Sequence, residues 1–330
     1  MDQKIIEPIP VEVLEAELTP DKFLRTANKG GNNVYIVDAH NSPNVMREIG
    51  RLREIAFRAA GGGTGKECDI DEFDTMTPPC RQLIVWDPRE REIIGGYRFI
   101  TGDDIRIQPD GRPRLATSHM FNFSQRFLNE FLPYTLELGR SFVRLEYQST
   151  RAGVNALYAL DNLWDGLGAL TVIYPKVKYL FGKVTMYPSY NAECRNMILY
   201  FLSKHFPDND SLVTPITPLD THTDTEAMDR LFTGTTFKDD YKILNKAIRE
   251  HGYNIPPLVN AYMSLSPSMR MFGTAINDEF GNVEESGIFF AVSEIFEEKK
   301  GRHIDTYHAT KPEMRGGIIG SRHVDLYNAP

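Results

Sequence analysis

The segment Leu136-Glu137-Leu138-Gly139-Arg140-Ser141-Phe142-Val143 constrains this chain more than any other. Its Leu, Phe and Val residues predict a strand, yet it carries a carboxylate and a guanidinium three positions apart. Side chains alternate between the two faces of a strand, so a regular strand would point Glu137 and Arg140 to opposite sides. A bulge near Gly139 brings both charges to one side, and bulges gather beside active sites because they re-aim side chains. The competing reading is an edge strand with two solvated charges. The two readings predict different geometries, and the functional one requires Glu137 and Arg140 to share one cleft.

Around that strand the patterning alternates between helix and strand. Asn41-Ser42-Pro43 opens a helix whose apolar residues Val45, Ile49, Leu52, Ile55 and Ala56 recur at helical spacing until Gly61-Gly62-Gly63. Residues 83–87 and 93–100 flank a polar turn and predict a hairpin. The stretch 102–133 is looser and reads as a short helix feeding the charged strand. A long helix follows over about 153–172, then a strand at Tyr179–Met186 and an amphipathic helix from Ala192 to Phe206. Two further helices at 240–251 and 257–265 precede closing strands near 271–275 and 288–292. This order predicts a mixed α/β sheet wrapped by helices. Residues 1–40 read as an arm with a short strand at Val34–Val37, 41–206 as the core, 207–250 as a surface insertion with a helix, 251–300 as strands completing the sheet, and 301–330 as a tail.

The totals narrow the function. A chain of 330 residues with 41% hydrophobic and 25% charged residues is an ordinary globular protein. A net charge of −8 argues against nucleic acid as the main partner. Cys68, Cys80 and Cys194 have no metal-ligand spacing, and the N-terminus lacks the apolar core of a signal peptide, so a reduced cytoplasmic setting is the expectation. The eight histidines offer no zinc-binding pair, and no resident metal is expected. Gly61-Gly62-Gly63-Thr64-Gly65-Lys66 fails as a phosphate loop: it follows a helix, and Glu67 stands where Ser or Thr is needed. It reads as a flexible loop. No nucleophile elbow is present, so covalent catalysis has no candidate.

Two charged groupings remain. The run Asp69-Ile70-Asp71-Glu72-Phe73-Asp74 is either a solvated loop or a set of partners for Arg53, Arg98 and Arg140. Arg144, Arg151, Lys176, Lys178 and Lys183 gather positive charge around the central strand and the elements after it. They surround the turn Gln148–Gly153, which opens a helix whose N-terminus suits an anion.

The central strand closely resembles that of the ornithine-lipid N-acyltransferases, a "hemolysin-like" group of the GNAT acyltransferase superfamily; it is similar, more distantly, to the acyl-homoserine-lactone synthases. Leu52–Phe57, Asp71–Asp74, Gly96-Tyr97-Arg98, Leu180–Thr185, Ile255–Leu258 and Phe272-Gly273 with Phe280-Gly281 match in order. The likeness is strong over about 45–200 and weak over 252–295, and length together with the 207–250 insertion looks most like the Bacteroides-type glycine branch. It implies a GNAT-like, mostly antiparallel sheet, flanked by helices and splayed at the central strand.

The resemblance also implies an N-acyltransferase that moves a 3-hydroxyacyl group from acyl carrier protein to an amino acid, glycine first and ornithine as the alternative, in aminolipid synthesis. Carried over, Glu137, Arg140 and Arg98 are the catalytic candidates, and Arg53, Phe57, Asp71, Asp74, Phe142 and Val143 the substrate-binding ones. Arg144, Arg151, Gly153, Lys176, Lys178 and Lys183 would meet the donor's phosphopantetheine or its acidic carrier. No cofactor is implied beyond that phosphopantetheine, which arrives as co-substrate. Peripheral contact with the inner membrane and a separate O-acyltransferase acting next are further expectations. Arg151 stands where CoA-dependent relatives have the first glycine of a pyrophosphate-cradling turn, which weakens a pyrophosphate donor. A CoA-dependent acetyltransferase and a non-enzymatic lipid-binding protein are the competing classes, though no lytic amphipathic segment supports the second.

Overall fold

A computed structural model describes residues 2–148 and 154–308. In chain order it contains α1 (Val11–Glu17), β1 (Phe23–Thr26), β2 (Asn33–Val37), α2 (Pro43–Ala60), α3 (Glu72–Thr75), β3 (Arg81–Asp87), β4 (Glu92–Thr101) and β5 (Phe121–Phe123). A π-helical turn at Phe127–Phe131 then leads into β6 (Thr135–Val143), followed by α4 (Val154–Ile173), β7 (Tyr179–Met186), α5 (Ala192–His205) and β8 (Val213–Pro215). The chain closes with α6 (Thr225–Leu231), α7 (Phe237–Glu250), α8 (Pro257–Met263), β9 (Arg270–Asn277), β10 (Val283–Ala291) and α9 (Glu297–His303).

Eight strands form one sheet in the order β1-β2-β3-β4-β6-β7-β10-β9, and β5 pairs with β8 in a small second sheet. Every pairing in the large sheet is antiparallel except β6 with β7. That parallel ladder runs only from Thr135↔Tyr179 to Glu137↔Phe181. Beyond it the strands part, although β6 continues to Val143 and β7 to Met186. Gly182 sits at the vertex, where a Cβ would lie 3.0 Å from the Leu138 carbonyl oxygen. The result is the mostly antiparallel α/β sheet, splayed at its centre, that the sequence predicts.

One face of the sheet packs on α4 and α5 through Leu83, Phe99, Leu136, Leu138, Leu163 and Ile198, all buried. The other face carries two apolar clusters. Ile84, Trp86, Phe142 and Phe280 pack under α2, and an aromatic group built from Phe127, Phe181, Phe272 and Phe289 packs under the π-helical turn. The candidate functional residues Arg98, Glu137 and Arg140 belong to β4 and β6 of this sheet.

Several boundaries depart from expectation for long-range reasons. The arm contains a helix and a second strand, and β1 and β2 extend the sheet edge. The 207–250 segment is not a plain surface excursion: Leu212, Val213 and Phe232 are buried, and β8 pairs with β5. Residues 301–308 do not trail as a tail, since His303 is buried with its Nδ1 2.7 Å from Asp165 Oδ1. The glycine-rich loop is tied down. Gly61 closes α2 in the left-handed conformation, and buried Glu54 accepts from Thr64 N, Thr64 Oγ1 and Gly65 N at 3.2, 2.8 and 2.8 Å.

Candidate active site

The β4–β6 register locates the bulge. Arg98 stands opposite Gly139 and Gly96 opposite Phe142, so Tyr97 alone faces both Arg140 and Ser141. Arg140 takes φ +48°, the left-handed region that a non-glycine residue adopts at a cost of order 1–3 kcal/mol. The extra residue shifts the parity of the strand. Leu136 and Leu138 pack on the α4 side, whereas Phe142, an even step further on, belongs to the α2 side. Arg140 turns to the same face as Glu137, Gly139 and Arg98.

The acidic run is a set of arginine partners and not a solvated loop. Asp71 and Asp74 form a reciprocal cap on α3, with Phe73 N and Asp74 N donating to Asp71 Oδ1 and Asp71 N donating to Asp74 Oδ2. Arg98 Nη1 donates to both Asp71 oxygens at 2.7 Å and to Asp74 Oδ2 at 3.3 Å. Arg53, wholly buried, reaches both Asp74 oxygens at 3.4 Å and also binds Gln82 Oε1. Gln82 Nε2 returns to Asp74 Oδ1 at 2.8 Å. Burial pushes the Asp71 carboxyl up, but the Arg98 charge and hydrogen bonds outweigh it and hold Asp71 well below the usual carboxylate range.

Arg140 pairs with Asp69, not with Asp74 or Glu137. Its Nε lies 3.0 Å from Asp69 Oδ2 and its Nη2 3.6 Å from Asp71 Oδ2, while the guanidinium stacks 4.3 Å over the Phe280 ring. The Nε contact is an ion pair without hydrogen-bond alignment, leaving Arg140 Nε and both Asp69 oxygens unbonded. Burial pushes the Asp69 carboxyl up, against the pull of Arg140 and Arg53.

Glu137 stands apart from these pairs. It is 4% exposed, and among the described residues nothing hydrogen-bonds its carboxylate. Burial raises its pKa, and the nearby charges of Arg98 and Lys183 oppose the rise. A buried, unbonded carboxylate facing a strand fork is equipped to take a proton.

The predicted positive grouping is dispersed. Arg144 follows the far end of β6, where it pairs with Glu92 and with Glu146 Oε2 at 3.2 Å. Lys176, 3.0 Å from Asp103, and Lys178, 4.5 Å over the Tyr134 ring, precede β7 at the opposite end. Nine strand residues at about 3.3 Å each separate those ends. Lys183 belongs to neither: its side chain is 9% exposed and ion-paired with Glu285, on the face that holds Glu137. A single outer basic patch is therefore corrected to three separate places. Arg151 and Gly153 lie outside the described residues. Phe57 and Phe142 are buried beneath the charge network, Phe57 edge-on to Phe280, and Val143 is half-buried opposite Gly95.

Gln82 and Glu285 join the candidate site, while Asp69 already stands in the acidic run that the sequence offers to the arginines. Gln82 and Glu285 look like ordinary strand polar residues until the strands are paired.

Comparison with known proteins shows the family. Residues 52–157 match the family model described as an acetyltransferase (GNAT) domain, which spans α2 through the start of α4. A glycine N(alpha)-acyltransferase of Phocaeicola vulgatus is 63% identical over 311 residues, 94% of this chain and 95% of the relative. The chain belongs to the glycine N(alpha)-acyltransferase family. Another member, from Bacteroides thetaiotaomicron, is 65% identical over 94% of this chain and 92% of its own length. An L-ornithine N(alpha)-acyltransferase of Brucella abortus is 24% identical over 66% of this chain and 68% of its own. The AHL synthase LasI covers 85% of this chain and 98% of its own at 10% identity, with a TM-score of 0.35. Membership of this family makes the chain an enzyme, an N-acyltransferase. Among the described residues no helix is long and apolar enough to cross a membrane.

Proposed function

We propose that the enzyme transfers a fatty acyl group, a 3-hydroxyacyl group in the first instance, from the phosphopantetheine thioester of an acyl carrier protein to the amine of glycine. The observation that carries the reading is the end of the β6–β7 ladder at Glu137, a buried carboxylate with no hydrogen-bond partner among the described residues, with the bulge bringing Arg140 to the same face. The two near-full-length relatives named for glycine supply the acceptor. Glycine enters as an ammonium; Glu137 takes one proton; the freed amine attacks the thioester carbon. The tetrahedral oxyanion meets backbone N–H groups on the β6 edge that loses its β7 partner after Glu137. Collapse breaks the C–S bond, the nitrogen gives up its second proton to the departing thiolate, and the proton on Glu137 leaves to solvent. The products are an N-acylglycine, a free phosphopantetheine thiol and one proton.

The donor arm enters at the open end of the fork, where α4 begins and offers its N-terminus to a single phosphate. No resident cofactor is needed, because the phosphopantetheine comes with the substrate. A lipid-tailed product fits peripheral contact with the inner membrane from the cytoplasmic side, and its 3-hydroxyl suits a separate O-acyltransferase as the next step.

Expression in a heterologous bacterium followed by mass spectrometry of new lipids tests the reading. N-acylglycine should accumulate; N-acylornithine instead would overturn the acceptor. Purified enzyme given acyl carrier protein or CoA thioesters separates the donors, and preference for the CoA thioester would overturn carrier dependence.

A further inference from the structure

Gly139 and Lys183 occupy the same relative position on the two arms of the fork. The parallel ladder ends at Glu137↔Phe181, and each is the next same-face residue beyond it. At Gly139 an added Cβ would meet nothing within 4 Å, so open space lies above this glycine. Glu137 borders that space one same-face step before, Arg140 follows through the bulge, Arg98 is its partner on β4, and Lys183 stands across the fork.

The four cations on this side of the sheet are not equivalent. Arg53, Arg98 and Arg140 are paired to Asp74, Asp71 and Asp69 of the acidic run. Lys183 is paired instead to Glu285 on β10. Glu285 is itself fixed, accepting from Thr185 Oγ1 and Asn277 Nδ2 at 3.1 Å each, and Asn277 Oδ1 lies 3.1 Å from His119 Nε2. An ammonium has three N–H donors, and among the described residues Glu285 takes the sole hydrogen bond from Lys183. The side chain is held, yet two donors remain.

We propose that Lys183, positioned by Glu285, seats the carboxylate of the amino-acid acceptor in the space above Gly139. The carboxylate then lies on one side of the fork and the amine reaches Glu137 on the other. A free amino acid carries its amine and carboxylate on one carbon, so a base on one arm of the fork and a cation on the other can take its two ends. The side chain of Gly139 is absent because the acceptor fills its place. This inference rests on the amino-acid acylation proposed above.

The test compares glycine with glycinamide, which keeps the amine and lacks the carboxylate, by following thiol release from an acyl carrier protein thioester and a CoA thioester. Wild type should favour glycine by roughly 30-fold or more in kcat/KM, the size of one charge-assisted hydrogen bond. Lys183→Met, with both amines assayed above the rising limb of its pH profile, should bring the ratio to within about 3-fold, through a raised KM for glycine that glycinamide does not share. Retention of the wild-type ratio in that variant would show that Lys183 only supports the fold. Gly139→Ala gives an independent check. Its Cβ enters open space, so thermal stability should stay while the KM for glycine rises roughly tenfold; an unchanged KM overturns the seat. Failure of wild type to acylate either amine with either donor would instead overturn the underlying reaction.

Discussion

At the scale of single residues, the site rests on which charges are paired. Arg53 and Asp74 are both fully buried, so removing one strands the other without water. Asp74→Asn should cost about 3–5 kcal/mol, read as a lowered denaturation midpoint, because an uncompensated buried guanidinium remains. Glu137 stands in the opposite sense, since among the described residues nothing hydrogen-bonds it and the proposed role needs it free. Its raised pKa moves the rising limb of kcat/KM with pH above the range of an ordinary glutamate, since only the ionised form accepts the amine proton. Replacing Lys183 by Met removes an opposing charge and should shift that limb further up. The stability signs differ for the two carboxylates. Glu137, raised in the fold, contributes stability present below its unfolded value and lost as pH rises through the folded one; Asp71, lowered, contributes stability present above its unfolded value and lost as pH falls through the folded one.

At the scale of elements, the bulged strand depends on glycines beside it. A Cβ on Gly95 would lie 2.5 Å from the Phe142 carbonyl oxygen, a backbone atom that cannot move alone. Gly95→Ala should therefore cost about 1–3 kcal/mol and lower turnover together with stability, measured by melting and by initial rates on one preparation. Much at this scale was legible in the sequence. Apolar spacing marks α2 and α4, a polar turn between apolar runs marks the β3–β4 hairpin, and two charges in one strand mark the bulge within a residue or two. What local pattern does not carry is pairing between distant segments. β5 and β8 are three residues each and exist through each other, across about ninety residues of chain. The sequence offers the acidic run to the arginines without saying which carboxylate meets Arg140, and the same limit scattered a basic cluster that exists only along the sequence. Lys183 reads as one of the donor-binding cluster because β10, which brings Glu285, follows about a hundred residues later.

At the scale of the molecule, the β1–β2 connection and α9 meet on α4. Asp165 accepts from Asn28 N and Asn28 Nδ2 at 2.8 Å each, before β2, and lies 2.7 Å from His303 Nδ1 of α9. Gly168 makes the approach possible, since a Cβ there would stand 2.2 Å from the His303 carbonyl oxygen. Asp165→Ala should cost about 1–3 kcal/mol for each polar group it strands, lowering the melting temperature while leaving turnover at low temperature near wild type. α4 is thus clasped on the outside of the sheet while the opposite face holds the charge network. The proposed chemistry and this structural closure lie on different faces, so Glu137→Gln should act on turnover and Asp165→Ala on stability.

The central claim is that Glu137, on the last rung before the fork, is the base for acyl transfer. The direct measurement is the turnover of Glu137→Gln, beside its melting curve, with an acyl carrier protein thioester and glycine. The account predicts a folded protein whose turnover falls by about 10²–10⁴-fold. Turnover within a few-fold of wild type in a folded Glu137→Gln enzyme would contradict it.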